Sequence, residues 1–347
     1  MSTQTKDKLK VAVAGCGFGA NHLRGYADSE LCEIVAIWSR TEIENDRNNS
    51  EQAAHTYNVP LYTDFKKMLK ELQPDIVSVA VREEGHEEMT ITALEHGAHV
   101  YCEKLLAPSV PAAQRMVDKA AEMQRSLNVG YNYRYSTSCQ YIADKIKSGA
   151  IGEPLFVHLR AFACCIHHMT DYVCSLLGTP EKVVSVINCK PLPDRPLPHD
   201  ELNYDSFFYT GQTMKTYMVE FAGGAVLMAG ATDYSNIMNP AADLLIEGTE
   251  GRIILDDING TVKVWQGLSD PWSGADAHES REAIHYHPSQ IRDEIGLIPN
   301  CHRAVQDFAR SVYEGESAPM PGESGVNMIK LEEAIFKSSQ TRQWESV

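Results

Sequence analysis

Short apolar runs alternate with amphipathic stretches through the first third of the chain. Lys8 to Gly15 reads as a strand, Asn21 to Ser29 as the helix after it, and Cys32 to Ser39 as a second strand. That second strand is apolar throughout its middle, at Ile34, Val35, Ala36, Ile37 and Trp38, as a strand covered on both faces should be. A helix from Asn48 to Tyr57, a short strand at Leu61-Tyr62 and a helix from Asp64 to Leu72 follow. The last gathers Phe65, Met68, Leu69 and Leu72 on one stripe. Ile76 to Val81 is the next buried strand, Glu87 to His96 a helix stopped by Gly97, and His99 to Cys102 a fifth strand. Ser109 caps a long helix to Arg125, with Pro111 tolerated in its first turn. Alternation at this spacing predicts a doubly wound α/β domain: a parallel sheet with right-handed crossovers.

From Gly130 the texture changes. Leu155 to Ala163, Val183 to Asn188, Thr213 to Phe221, Ala225 to Thr232, Asp243 to Glu247, Arg252 to Leu255 and Thr261 to Trp265 read as strands in series. Gly223-Gly224 and Asn259-Gly260 sit between pairs of them as hairpin turns. Strands in series predict a largely antiparallel sheet and a second domain of α+β type, so the chain divides into residues 1–127 and 128–347. Two helices close it, Cys301 to Tyr313 and Gly325 to Thr341. The irregular stretch from Gln266 to Pro299 is long enough to be a lid, an arm or an oligomer contact.

Composition narrows the class without naming a function. A chain of 347 residues exceeds one ordinary core, and 43% hydrophobic with 22% charged residues describes a soluble globular protein. A net charge of −16, with no basic stripe to offset it, argues against a nucleic-acid partner. No apolar run approaches the ~20 residues of a membrane span, and no signal peptide fits between Met1 and Lys10. Nine dispersed cysteines, an odd count without a C-x-x-C pair, fit reduced thiols and a cytoplasmic location.

The first strand breaks into Gly15-Cys16-Gly17-Phe18-Gly19-Ala20, a G-x-G-x-x-A turn placed between strand and helix. Gly15 permits the tight turn, Gly17 lets backbone approach a pyrophosphate, and Ala20 allows close helix–strand contact, with Gly19 an extra glycine. At the end of strand two, where an acid would bind the free 2′-hydroxyl of NAD, stand Ser39 and Arg40. A hydroxyl and a guanidinium suit a 2′-phosphate and favour NADP; the alternative is Arg40 stacked on adenine with NAD bound. The fifth strand ends in Glu103-Lys104, which puts a lysine at the sheet edge where open α/β sheets bind ligands. A nucleotide cradle and a movable proton at one edge point to redox chemistry.

These residues, with Gly130 to Arg134, Ile151-Gly152-Glu153-Pro154, Leu245 to Gly251, Phe308-Ala309-Arg310 and Gly322 to Gly325, resemble the pattern of the Gfo/Idh/MocA oxidoreductase family over nearly the whole chain. The resemblance implies an N-terminal Rossmann domain and a C-terminal open-faced sheet that joins dimers or tetramers. It implies sugars, cyclitols and related polyols as substrates. The family's catalytic lysine falls on Lys104 and the histidine of its D-x-x-x-H segment on His168. The chain departs from the pattern three times: Leu105 stands for the proline after the lysine, Cys164 for the aspartate before the histidine, and Val81-Arg82 for a T-P pair. The cofactor contacts expected are Gly15, Gly17, Phe18, Gly19, Ala20, Ser39, Arg40, Val81, Arg82, His86, Glu103 and Lys104. Substrate contacts are expected from Asn132, Arg134, Cys164, His167 and Asp171, the last supplying charge that Cys164 lacks.

Taking hydride from an alcohol carbon requires a base within reach of the hydroxyl proton. Lysine is a poor base at its ordinary pKa of ~10.4, and burial beside a cation, here Arg82 or the oxidised ring, lowers such an amine. Lys104 is therefore assigned to proton transfer, and His168 to substrate binding or shared acid–base work. Cys164-Cys165-Ile166-His167-His168 and the group His278, His285, His287 have metal-ligand spacing, but adjacent cysteines rarely share one tetrahedral ion, and no metal is expected. Tyr131, Tyr133 and Tyr135 alternate as if on one side of a strand. Two other functions fit the same residues. One is a lyase or glycosidase that oxidises its sugar transiently and returns the hydride; the other is a nucleotide-binding regulator without activity.

Overall fold

A computed structural model describes residues 7–40, 50–161, 165–189, 213–232, 242–256, 261–267, 282–284 and 297–347. By packing, the chain divides into residues 1–132 with 298–329, and 133–297 with 330–347. The segment 298–329 thus groups with the first unit, where the sequence alone suggests a single cut after residue 127.

The first unit is a six-stranded sheet in the order β3-β2-β1-β4-β5-β6. Its strands are β1 (Leu9–Ala14), β2 (Cys32–Trp38), β3 (Leu61–Tyr62), β4 (Ile76–Val79), β5 (His99–Cys102) and β6 (Leu127–Val129), and every pairing among them is parallel. Between them run α1 (Gly19–Ala27), α2 (Ser50–Tyr57), α3 (Phe65–Leu72), α4 (His86–Glu95) and α5 (Val110–Met123). Val11 to Ala14, Ile76, Val77, Val79 and Val100 to Cys102 are buried, as strands sandwiched by helices must be. Asp64 accepts the Lys67 N–H at 2.9 Å to start α3, and the Ser109 hydroxyl caps α5 as its sequence predicts. This is the doubly wound Rossmann arrangement.

The second unit is a nine-stranded sheet in the order β14-β13-β12-β11-β7-β10-β9-β8-β15. Its strands are β7 (Pro154–Ala161), β8 (Pro180–Cys189), β9 (Thr213–Phe221), β10 (Val226–Thr232), β11 (Ala242–Gly248), β12 (Gly251–Asp256), β13 (Thr261–Gln266), β14 (Glu282–Ile284) and β15 (Glu345–Ser346). All its pairings are antiparallel except β7 with β10. Val157, Leu159, Tyr217, Val219, Leu227, Ala229, Leu244 and Ile246 bury one face, while their alternates face outward.

The helices α6 (Thr137–Lys147) and α7 (Ile166–Leu177) escape the sequence pattern, and the closing helices α8 (Leu297–Glu314) and α9 (Gly322–Thr341) begin earlier than it suggests. Residues 132–135 form a 3-10 turn rather than the strand that alternation of Tyr131, Tyr133 and Tyr135 suggests. Among the described residues no helix is long and apolar enough to cross a membrane. The Asn259-Gly260 turn and most of the 266–299 stretch lie outside the described residues.

Candidate functional site

All six parallel strands stop on one line. Tyr62, Trp38, Ala14, Val79, Cys102 and Val129 are successive register partners across the sheet. The residues that leave this line are therefore Thr63, Ser39, Gly15, Ala80, Glu103 and Gly130. Register alone brings the glycine turn, Ser39 at the end of β2 and the approach to Lys104 to one edge, the edge where such sheets bind ligands.

Gly15 has φ +94°, and a Cβ there would lie 2.5 Å from the Ala80 carbonyl oxygen, so only glycine fits. Its N–H donates to the Trp38 carbonyl at 2.9 Å, which ties the turn to the end of β2. Phe18 is the N-cap of α1, no side chain caps the helix, and its first turn carries no acid. The opening N–H groups thus have no side-chain cap, an arrangement that suits an anion. Close helix–strand contact comes from Gly19, where a Cβ would lie 3.1 Å from the Ala80 Cβ, and Ala20 is only half-buried. That corrects the role the motif gives to Ala20: α1 begins at Gly19, so Gly19 faces the sheet. A cavity of about 1180 Å³ opens here, lined by Gly15, Gly17, Phe18, Ser39, Arg40, Val81 and Arg82 among others. It exceeds the ~300–1,000 Å³ of ordinary small-molecule sites.

Lys104 is half-buried, one residue beyond Glu103, whose carboxylate accepts the Lys104 N–H at 3.2 Å. The Lys104–Leu105 peptide is cis. Two buried histidines hold the residues on either side. His22 places Nε2 3.0 Å from Glu103 Oε1 and Nδ1 2.7 Å from Ser78 Oγ. His86, 1% exposed, places Nδ1 2.8 Å from the Leu105 carbonyl oxygen and Nε2 3.2 Å from that of Val81. Burial pushes His86 below the ordinary histidine range, so a neutral ring donates through its shorter contact to Leu105. The sequence places His86 against cofactor, whereas the structure makes it a strap between the loops after β4 and β5. Arg82 is solvent-facing and pairs with Glu84 at 3.7 Å, in a setting where water screens its charge.

In the second unit, α7 carries His167 and His168, 6% and 4% exposed, and Asp171. The His168 ring stacks on Tyr133, with centroids 4.6 Å apart and planes 15° off parallel, and the Tyr133 hydroxyl donates to Cys165 Sγ at 3.1 Å. Arg134 forks onto Asp171, Nε to Oδ2 at 2.7 Å and Nη2 to Oδ1 at 2.6 Å. Burial raises the Asp171 carboxyl and Arg134 opposes the rise. Both oxygens of Asp171 thus serve Arg134, and the turn holding Tyr133 and Arg134 fixes the ring and helix that present His168. Asn132, fully buried, has no partner for its side-chain amide among the described residues. Cys164, His278, His285 and His287 lie outside the described residues. Within them no three His, Cys, Asp or Glu side chains converge as metal ligands.

The motif signals reach Gly15, Ser39, Arg40 and Lys104 but miss His22 and Ser78, which no local pattern marks. They also miss Lys66, whose place beside the cavity depends on how β2 meets β3.

Comparison with known proteins places these features in context. Residues 9–131 match the family described as "Oxidoreductase family, NAD-binding Rossmann fold", and residues 161–347 its "C-terminal alpha/beta domain". D-glucoside 3-dehydrogenase of Escherichia coli (strain K12) is 30% identical over 167 residues, 47% of this chain and 46% of that protein. Inositol 2-dehydrogenase of Salmonella typhimurium (strain LT2) is 27% identical over 157 residues, 44% of this chain and 46% of that protein. The chain spans about half the length of these curated relatives it matches. Among solved structures, levoglucosan dehydrogenase in complex with NADH and levoglucosan has a TM-score of 0.82 at 21% identity, covering 98% of this chain and 100% of that one. An oxidoreductase from Agrobacterium radiobacter in complex with NAD+, L-tartaric acid and magnesium has a TM-score of 0.77 at 19% identity, covering 98% of each. At these identities the structural likeness speaks for the fold.

Proposed function

The chain belongs to the Gfo/Idh/MocA oxidoreductase family, and we propose that it is a nicotinamide-dependent dehydrogenase or reductase of a sugar, cyclitol or related polyol. The observation that carries this reading is the shared line of strand ends, from which the phosphate turn, the ribose-reading end of β2 and the Lys104 segment all depart. The dinucleotide fits the residues present: Gly15 and the uncapped start of α1 suit its pyrophosphate, and Ser39 with Arg40 suits its adenosine ribose. The absence of an acid at positions 39 and 40 favours NADP, with NAD the alternative.

When bound, the nicotinamide supplies the hydride acceptor or donor. The rest falls to the chain. An alcohol carbon releases hydride only as its oxygen releases a proton, and the Lys104 amine is assigned to hold that proton. His168 is assigned the second acid–base role, with its ring fixed by Tyr133. The buried amide of Asn132, without a partner among the described residues, supports a part in binding hydroxyls.

The test is a panel of glucosides, inositols, levoglucosan and other polyols against both nicotinamide cofactors, followed at the reduced-nicotinamide absorbance. Turnover of one class supports the reading. A silent panel together with no binding of either dinucleotide overturns it.

We propose further that copies of this chain associate through the outer face of the second sheet. Val184, Met218, Met228, His158, Leu245 and Ile254 form a cross-strand row on that face, and Met218 is 37% exposed. Met218→Glu should shift the sedimenting species toward monomer. The absence of a disulfide among the described cysteines fits a cytoplasmic location.

A further inference from the structure

We propose that Lys66, on the first turn of α3, is the second cation of a site for the 2′-phosphate of NADP, opposite Arg40 and beside Ser39. This deepens the cofactor reading above and rests on it.

Three contacts bring Lys66 to the end of β2. The Ser39 N–H donates to the Tyr62 carbonyl at 3.0 Å, and the Trp38 indole N–H donates to the Thr63 carbonyl at 2.9 Å. The Trp38 and Phe65 rings meet edge to face with centroids 5.8 Å apart. Residues 63–66 are therefore laid along residues 38–40, and Ser39, Arg40, Thr63 and Lys66 line the same cavity as the glycine turn.

Among the described residues neither Arg40 nor Lys66 has an ion-pair partner, whereas the neighbouring Lys67 pairs with Glu71 at 4.0 Å and Arg82 with Glu84. The acid on the same element, Asp64, has its carboxylate turned to the Lys67 N–H as the α3 cap. In a chain of net charge −16, two cations that line one cavity without an ion-pair partner among the described residues stand out. A neutral 2′-hydroxyl gains little from them. A phosphate takes the Arg40 fork and the Lys66 ammonium together. The pyrophosphate belongs at the glycine turn, so the anion these cations suit is a second one, on the ribose.

The probes are 2′,5′-ADP and 5′-AMP, which differ by that phosphate, titrated calorimetrically into the full chain and its variants at low salt. The intact protein should bind 2′,5′-ADP about tenfold more tightly than 5′-AMP, an advantage that shrinks with added salt. Lys66→Ala should cut 2′,5′-ADP affinity about fivefold and leave 5′-AMP within twofold. Arg40→Ala should do the same more strongly, and Lys67→Ala neither. The idea is overturned if Lys66→Ala leaves the ratio of the two affinities unchanged or weakens both alike. If NAD and 5′-AMP bind but the extra phosphate adds nothing even in the intact protein, this inference falls while the nicotinamide reading stands. If neither NAD nor NADP binds, both fall.

Discussion

His22 and Glu103, 81 residues apart in sequence, meet in the core of the first unit with Nε2 and Oε1 3.0 Å apart. A carboxylate only accepts, so the histidine N–H points at Glu103 and Nδ1 accepts from the Ser78 hydroxyl. The chain of bonds runs one way, from Ser78 through His22 to the carboxylate that accepts the Lys104 N–H. It anchors the Lys104 segment to α1 and β4.

Replacing His22 by Leu keeps the volume and strands two buried polar groups. A loss of about 2–3 kcal/mol in urea unfolding is expected, since an unpaired buried acceptor costs more than its bond contributes. Glu103→Leu should cost a similar amount, and the double variant much less than the sum. Additive losses would show that the pair is not coupled.

Lys104→Ala should lower turnover by about 10²–10⁴, the range of a lost acid–base group, while either dinucleotide binds within a few-fold of the intact protein. The measurement is kcat on whichever polyol the panel identifies, beside a calorimetric Kd. Turnover within a few-fold of the intact chain removes Lys104 from the reaction.

What the sequence makes legible here is local. The Gly15 turn is written in adjacent residues because a positive φ at one position demands glycine, and the end of β5 is visible because apolarity stops at Glu103. The close-contact glycine is misplaced by one, because the motif does not say where α1 begins. Helix α7 is hidden because Ile166 to Val173 are all buried, so no polar face marks a 3.6-residue period. The tyrosines at 131, 133 and 135 mimic a strand, yet residues 132–135 wind as a 3-10 turn. The His22–Glu103 bond, the His86 strap and the Arg134 fork are tertiary, and nothing in the neighbouring residues announces them.

The Arg134 fork carries a pH dependence with a definite sign. Burial raises the folded-state pKa of Asp171 above its unfolded value, so the native state holds that proton more tightly. The ionised carboxylate therefore costs stability, a cost relieved as pH falls through the folded value. Arg134→Ala removes the charge that opposes the rise. It should cost about 3 kcal/mol at pH 8, in line with a broken buried pair, and markedly less near pH 5. The nearby Cys174 thiol, pushed up by burial, stays neutral throughout. Asp171→Asn in the Arg134→Ala background should flatten the difference between the two pH values. A deficit that grows on acidification would contradict this account.

Gly25 tests how α1 is held from its far side. A glycine inside an exposed helix usually gives way to alanine with a gain of about 1 kcal/mol. Here a Cβ would lie 2.5 Å from Val305 Cγ2 and 2.9 Å from the His302 Cα on α8, and Gln306 donates to the Gly25 carbonyl at 2.9 Å. The valine methyl can rotate away, but the His302 backbone cannot. Gly25→Ala should therefore destabilise by about 1–3 kcal/mol, the usual cost of overpacking, and Val305→Ala should restore only part of it. Because α1 carries the proposed phosphate cradle at its start and His22 in its middle, pushing it off α8 displaces both. Dinucleotide affinity should fall along with stability in Gly25→Ala, and recover in proportion when Val305→Ala is added. Loss of stability with unchanged affinity would mean that the cradle is set by the β1 turn alone.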